Sequence, residues 1–144
     1  MRAMTMFVTF VVAILVFASA AVRPGAGVAD DDGQLLPGQQ LAPGQELVSE
    51  DGRFVLDMQR DGNLVLRGSD GGVLWETGTA ALGSSLVVQV GGNVVVTAPS
   101  GAPQWSTGTG DAGHVTLELR DDGRLVVVDQ HGTERWSTPT VPVT

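Results

Sequence analysis

Three tryptophans, Trp75, Trp105 and Trp136, stand 30 and 31 residues apart, and each opens a version of one phrase: WETGT, WSTGT and WSTPT. A glycine lies four residues before each of them (Gly71, Gly101, Gly132), and another lies thirteen before (Gly62, Gly92, Gly123). Self-similarity at this period marks a chain that uses one supersecondary unit three times, in which no unit can bury its apolar face alone and the copies must pack on one another. With 144 residues available, the three units belong to a single domain.

The unit is a hairpin, and its register follows from MQRDGNLVLR, residues 58–67. Arg60-Asp61-Gly62 reads as a three-residue loop whose last position needs the left-handed backbone that glycine adopts without strain. Gln59 then faces Asn63, Met58 pairs with Leu64, and Leu56 pairs with Leu66. Because side chains alternate across a strand, these apolar residues share one face with Phe54. The same register sets Leu86 and Val88 against Val94 and Val96 around Val90-Gly91-Gly92. It sets Val115, Leu117 and Leu119 against Leu125 and Val127 around Asp121-Asp122-Gly123. A lone hairpin of this size is marginal, so the three apolar faces should meet. The tryptophans recur in phase with those faces and are expected to meet in the core rather than serve as exposed sugar-stacking rings.

Composition narrows the chemistry. Glycine makes up 20 of 144 residues and aromatics only 5%, which suits short strands and tight turns with little helix. The absence of cysteine removes disulfides, thiolate metal sites and a cysteine nucleophile. Every basic side chain is an arginine, and 16 acidic residues against 8 basic ones give a net charge of -8, so a phosphate backbone would be repelled and no nucleic acid partner is expected. The two histidines, His114 and His131, belong to no G-x-S-x-G or His-x-x-x-His arrangement. Asp121 and Asp122 fall in a loop and Glu118 on an exposed strand position, which reads as solvated surface rather than a carboxylate pair. No enzyme activity, metal or cofactor is expected, and short loops should leave no water-excluding cleft.

At the N-terminus, Arg2 precedes an uncharged stretch from Met6 to Phe17 and then Ala18-Ser19-Ala20, a small-x-small pattern that signal peptidase accepts. Residues 1–20 are therefore expected to be a signal peptide, making the protein secreted, extracellular or at the cell surface. An uncleaved anchor is the alternative, since no charge occurs between Ala3 and Val22, and only it would bring in a membrane. Residues 21–33 read as a flexible linker, 34–140 as the domain and 141–144 as a short tail. Asp30-Asp31-Asp32 lacks the alternate spacing of a calcium loop and reads as a solvated charge run.

The outward face of the first hairpin carries Gln59, Asn63, Val65 and Arg67, with Asp61 in the loop. Amides and carboxylates offer donors and acceptors to vicinal hydroxyls, and a small apolar side chain suits the C–H face of a sugar ring. The plainer reading of the same residues is the solvated side of a sheet.

Residues 35–79, LLPGQQLAPGQELVSEDGRFVLDMQRDGNLVLRGSDGGVLWETGT, resemble the bulb-type (monocot, snowdrop-like) mannose-binding lectin domain, which repeats Q-x-D-x-N-x-V-x-Y three times. The likeness covers about residues 34–140: the leading L-x-x-G-x-x-L-x-x-G phrase, three DGN-like turns and three tryptophans agree in order and spacing. It implies an all-β fold, a β-prism (β-prism II) of three four-stranded antiparallel sheets with pseudo-threefold symmetry. It also implies mannose or mannose-containing glycans as partners, held in shallow grooves without metal.

Carried over by position, the resemblance assigns Gln59, Asp61, Asn63 and Val65 to a first site, with Arg67 where the family has tyrosine; this chain has no tyrosine at all. A weaker second site would use Gln89, Asn93, Val95 and Thr97, with Gly91 at the aspartate position and Thr97 at the tyrosine position. In the third unit Asp122 and Val126 remain, but Arg120, Arg124 and Val128 stand at the glutamine, asparagine and tyrosine positions, and this site is expected to be lost. Three roles stay open for Arg67: a donor to a sugar hydroxyl or anionic substituent, a partner for Asp57, or a solvated side chain. The function implied is that of a secreted non-enzymatic carbohydrate-binding protein. The alternatives are an interaction or structural module that lost sugar binding, or a lectin-like antibacterial protein; a homodimer stays open.

Overall fold

The computed structural model describes residues 32–139, so the expected signal peptide, most of the linker and the 141–144 tail lie outside the described residues. Leu35, Leu41 and Leu47 recur every six residues, and each is at most 1% exposed. Each sits in its own short strand: β1 (Gln34–Leu35), β2 (Gln40–Leu41) and β3 (Glu46–Val48). Between them the chain turns at Gly38 and Gly44, whose φ values of 87° and 88° suit glycine. Their amides donate to Val88 O at 2.7 Å and Met58 O at 2.6 Å, which ties each turn to a different hairpin.

The three repeats supply the remaining strands. The first contributes β4 (Val55–Met58), β5 (Leu64–Arg67) and β6 (Val73–Glu76). The second contributes β7 (Ser85–Val88), β8 (Val94–Thr97) and β9 (Pro103–Ser106). The third contributes β10 (Val115–Leu119), β11 (Leu125–Asp129) and β12 (Glu134–Ser137). Among the described residues they form three four-stranded sheets in the orders β3-β4-β5-β6, β2-β7-β8-β9 and β1-β10-β11-β12. Neighbouring strands run antiparallel, and each leading strand completes the edge of a different sheet. This is an all-β architecture with apparent pseudo-threefold symmetry, consistent with β-prism II.

The hairpin register holds in all three units: Met58↔Leu64 and Leu56↔Leu66, Val88↔Val94 and Leu86↔Val96, Leu119↔Leu125 and Leu117↔Val127. Val115 has no apolar partner across the ladder; it faces Asp129. Gly62 has φ 97°, and a Cβ there would run into the Ala81 backbone, so both backbone conformation and close approach demand glycine.

The apolar faces converge on one core that includes Leu35, Leu41, Leu47, Leu56, Met58, Leu66, Leu86 and Leu117. Trp75, Trp105 and Trp136 pack against it, half-buried, with ring centroids 5.4, 5.5 and 5.7 Å apart and interplanar angles of 68–73°. Such edge-to-face contacts suit the ring quadrupoles. Opposite each tryptophan the ladder slips, between Leu66/Arg67, Val96/Thr97 and Val127/Val128. Each such β-bulge adds local twist at the same point of each repeat. The threonine two residues after each tryptophan plays the same part in every unit, closing the hairpin end. Thr77, Thr107 and Thr138 Oγ1 accept from the amides of Leu64, Val94 and Leu125 at 3.2, 3.3 and 3.0 Å.

Candidate functional site

The outward face of the β3-β4-β5-β6 sheet gathers the first set of residues. Gln59 N donates to Asn63 O at 2.9 Å, closing the hairpin, and Asn63 N donates to Asp61 Oδ1 at 2.9 Å, so the loop aspartate is held against its own turn. The Asn63 side chain is drawn toward the end of β6. Its Oδ1 accepts from Gly78 N at 2.8 Å and Thr77 Oγ1 at 3.3 Å, and its Nδ2 donates to Glu76 Oε1 at 2.7 Å.

On the other flank, the neighbours of Gln59 assign its amide orientation: with the nitrogen turned to Asp61 it donates to Oδ1 at 3.1 Å, and the oxygen then accepts from Arg67 Nη2 at 2.8 Å. Arg67 Nη1 also reaches Gly71 O at 3.4 Å. Of the roles left open for Arg67, pairing with Asp57 is not the one adopted; the guanidinium engages Gln59 and backbone. Val65 lies between these flanks on the same face but is only 3% exposed, so the apolar contact it can offer is narrow.

The second unit keeps part of this arrangement. Asn93 Oδ1 accepts from Thr109 N at 3.2 Å and Thr107 Oγ1 at 3.4 Å, repeating the anchoring of Asn63. Val95 is 3% exposed, Thr97 is half-buried and Gln89 is exposed. Around Gly91 nothing lies within 4 Å of where a Cβ would stand, so the aspartate position is open space.

The third unit fills the equivalent face with its own charges. Arg120 bonds Glu118 Oε1 at 3.0 Å and Glu134 Oε2 at 2.9 Å. Arg124 bonds Asp122 Oδ2 at 3.1 Å and Glu134 Oε2 at 3.3 Å. The Arg124 guanidinium, with Arg120 beside it, holds the Glu134 carboxyl below the usual carboxylate range. Partial desolvation of Asp122 pushes upward but is outweighed by the backbone amide and guanidinium of Arg124, and its pKa is lowered too.

No protein-family model matches the chain, and no curated protein matches it. Solved structures do. A lectin from Japanese Marasmius oreades is 30% identical with TM-score 0.70, covering 75% of this chain and 91% of its own. The mannose-specific agglutinin of snowdrop (Galanthus nivalis) bulbs, solved with methyl-α-D-mannoside, is 36% identical with TM-score 0.62, covering 78% of this chain and all of its own. A lectin from Allium sativum is 34% identical with TM-score 0.61, covering 74% and 99%. The chain belongs to the β-prism mannose-binding lectin superfamily.

As a β-prism lectin the protein is non-enzymatic. Both histidines are exposed, and among the described residues no group of three or more His, Cys, Asp or Glu side chains is placed to hold a metal ion. A groove of about 240 Å³ lined by Asp32, Glu50, Glu118, Arg120 and Asp121 contains none of the first-unit residues.

Gln59, Asp61, Asn63 and Arg67 are brought together as one hydrogen-bonded patch, with the nearly buried Val65 on the same face. Glu76 and Glu134 were missed by motif reading because they come from the outermost strand of each sheet. The signals are single departures from the repeat: Glu76 after Trp75 against Ser106 and Ser137, and Glu134 two residues before Trp136 against Val73 and Pro103.

Proposed function

We propose that this β-prism lectin is a secreted carbohydrate-binding protein that takes mannose or mannose-containing glycans weakly at the first unit, through Gln59, Asp61, Asn63 and Val65. The observation that carries the reading is that these polar groups form one ordered patch on an outward face, tied together by Asn63 N to Asp61 and Gln59 to Asp61. Their free lone pairs and N–H groups suit vicinal hydroxyls. The second unit, Gln89, Asn93, Val95 and Thr97, lacks the aspartate and contributes little. The third is lost as a sugar site because its arginines are committed to Glu118, Asp122 and Glu134. Export rests on the signal-like segment at 1–20.

Capture on a dense mannan surface tests the proposal. Removing one group from a sparse polar site costs about 1–3 kcal/mol, while clustering recovers roughly 10²–10⁴ in avidity when more than one site engages. The wild type should be captured and Asn63→Ala should not. Thermal unfolding of the variant must be followed alongside, because Asn63 also anchors Gly78 and Thr77. Equal capture of the two folded proteins, or capture of neither, removes the sugar reading. It then leaves an interaction module that kept the prism, which the closed ion-pair cluster of the third unit favours.

A further inference from the structure

Resting on the sugar-site reading of the first unit, we propose that Glu76 is a recognition residue of that site, accepting a sugar hydroxyl beside Asn63 and selecting uncharged sugars over anionic ones. Glu76 stands directly across from Val65 in the β5–β6 ladder, on the side of the patch away from Arg67. It is exposed, and its Oε1 accepts from Asn63 Nδ2 at 2.7 Å.

The Asn63 oxygen is already committed to Gly78 and Thr77, so what this side chain can offer a ligand is the second hydrogen of its amide nitrogen. A sugar hydroxyl both accepts and donates. Accepting from that N–H places it beside the carboxylate, which still has free lone pairs, and the bond it then donates is charge-assisted and short. Glu76 thus adds a charged acceptor at a ladder position where the second and third units, facing Val95 and Val126, have the hydroxyls of Ser106 and Ser137.

The charge acts with the hydrogen bond. Asp57 faces Val65 from the opposite neighbouring strand and Asp61 lies in the loop, so three carboxylates surround this apolar floor. Arg67, a cation of the same patch, is already engaged by Gln59 and Gly71. A carboxylate-bearing sugar would bring like charge against Glu76, whereas a neutral hydroxyl is drawn in.

The test is an NMR titration of the full chain, which reads weak monovalent binding, with methyl α-mannoside and with mannuronate, for wild type, Glu76→Gln and Glu76→Ser. Wild type should bind the mannoside and discriminate against the uronate. Glu76→Gln keeps the acceptor without the charge, so mannoside affinity should stay within about twofold while the gap between the two sugars narrows. Glu76→Ser should lower mannoside affinity about five- to tenfold and narrow the gap as well. If both variants bind the mannoside as tightly as wild type or more tightly, Glu76 merely competes for Asn63; the inference is overturned and the sugar site stands. An unchanged gap in both variants also overturns it. Absence of sugar binding in all three proteins removes the site reading itself, and this inference with it.

Discussion

Arg67 Nη2 donates to Gln59 Oε1 at 2.8 Å, while the nitrogen of the same amide donates to Asp61. A guanidinium has only donors and a carboxylate only acceptors, so the two neighbours leave the Gln59 amide a single orientation. Arg67 therefore fixes the direction in which the first unit presents this amide.

Replacing that arginine should loosen the amide without loosening the fold. Arg67→Ala is expected to weaken mannoside binding about three- to fivefold, with little change in Tm, since partly exposed polar contacts contribute modestly to stability. Arg67→Lys retains a donor and should recover part of the loss. Identical titration curves for wild type and Arg67→Ala would show that the orientation of Gln59 is irrelevant to the ligand.

The proposed correspondence between units predicts that the second can be strengthened at one position. Gly91 has a φ outside the left-handed region and open space where a side chain would project, so Gly91→Asp should fold without strain. It supplies the acceptor missing beside Gln89 and Asn93. Calorimetric titration with oligomannosides should then show increased stoichiometry or affinity, and an unchanged titration by the folded variant would count against the correspondence between the first two units.

Acid should destabilise the protein along a defined path. Arg53 folds back on Asp51, its backbone N–H reaching Oδ1 at 3.0 Å and its Nε reaching Oδ2 at 2.6 Å, and these bonds hold the carboxyl at about 2. The carboxyls of Asp122, Asp129 and Glu134 are lowered too. A folded-state pKa below the unfolded one contributes stability that is present above the unfolded value and lost as pH falls through the folded value. Tm should hold steady above about pH 5 and fall from about pH 4 toward 2. In Arg53→Ala the backbone bond, the larger cause, remains and the guanidinium is gone, so the fall should be shallower; an equally steep fall would exclude Arg53 as a contributor.

The hairpins were legible because their signals are local. Alternation with period two and a glycine at the third loop position determine which of Leu56, Met58, Leu64 and Leu66 face inward, and the structure has them so paired. The tryptophan cluster was legible from phase alone, although its rings are only half-buried. What escaped are side-chain meetings that the repeat pattern does not carry. Asp129 opposite Val115 breaks the repeat pattern because its carboxylate is occupied locally by the amides of His131 and Thr133 and by Arg135. Glu76 reaches Asn63 from a strand whose register is shifted by a bulge, and no spacing along the chain reports such a meeting. The distribution of Leu35, Leu41 and Leu47 over three sheets was likewise invisible in a phrase that reads only as a periodic run.

That distribution governs the order in which the chain can become a protein. β1 has no partner until the segment around Glu118 exists, β2 waits for Leu86 and Val87, and only β3 finds its neighbour at once. During synthesis β2 must therefore wait for the second hairpin and β1 for the third, which closes the sheet that the first strand began. Such distant pairing slows folding and makes it cooperative. No repeat can be removed without leaving an orphaned strand, and deletion of residues 34–48 would strip the outer strand from every sheet, so the three-part symmetry disguises an indivisible molecule.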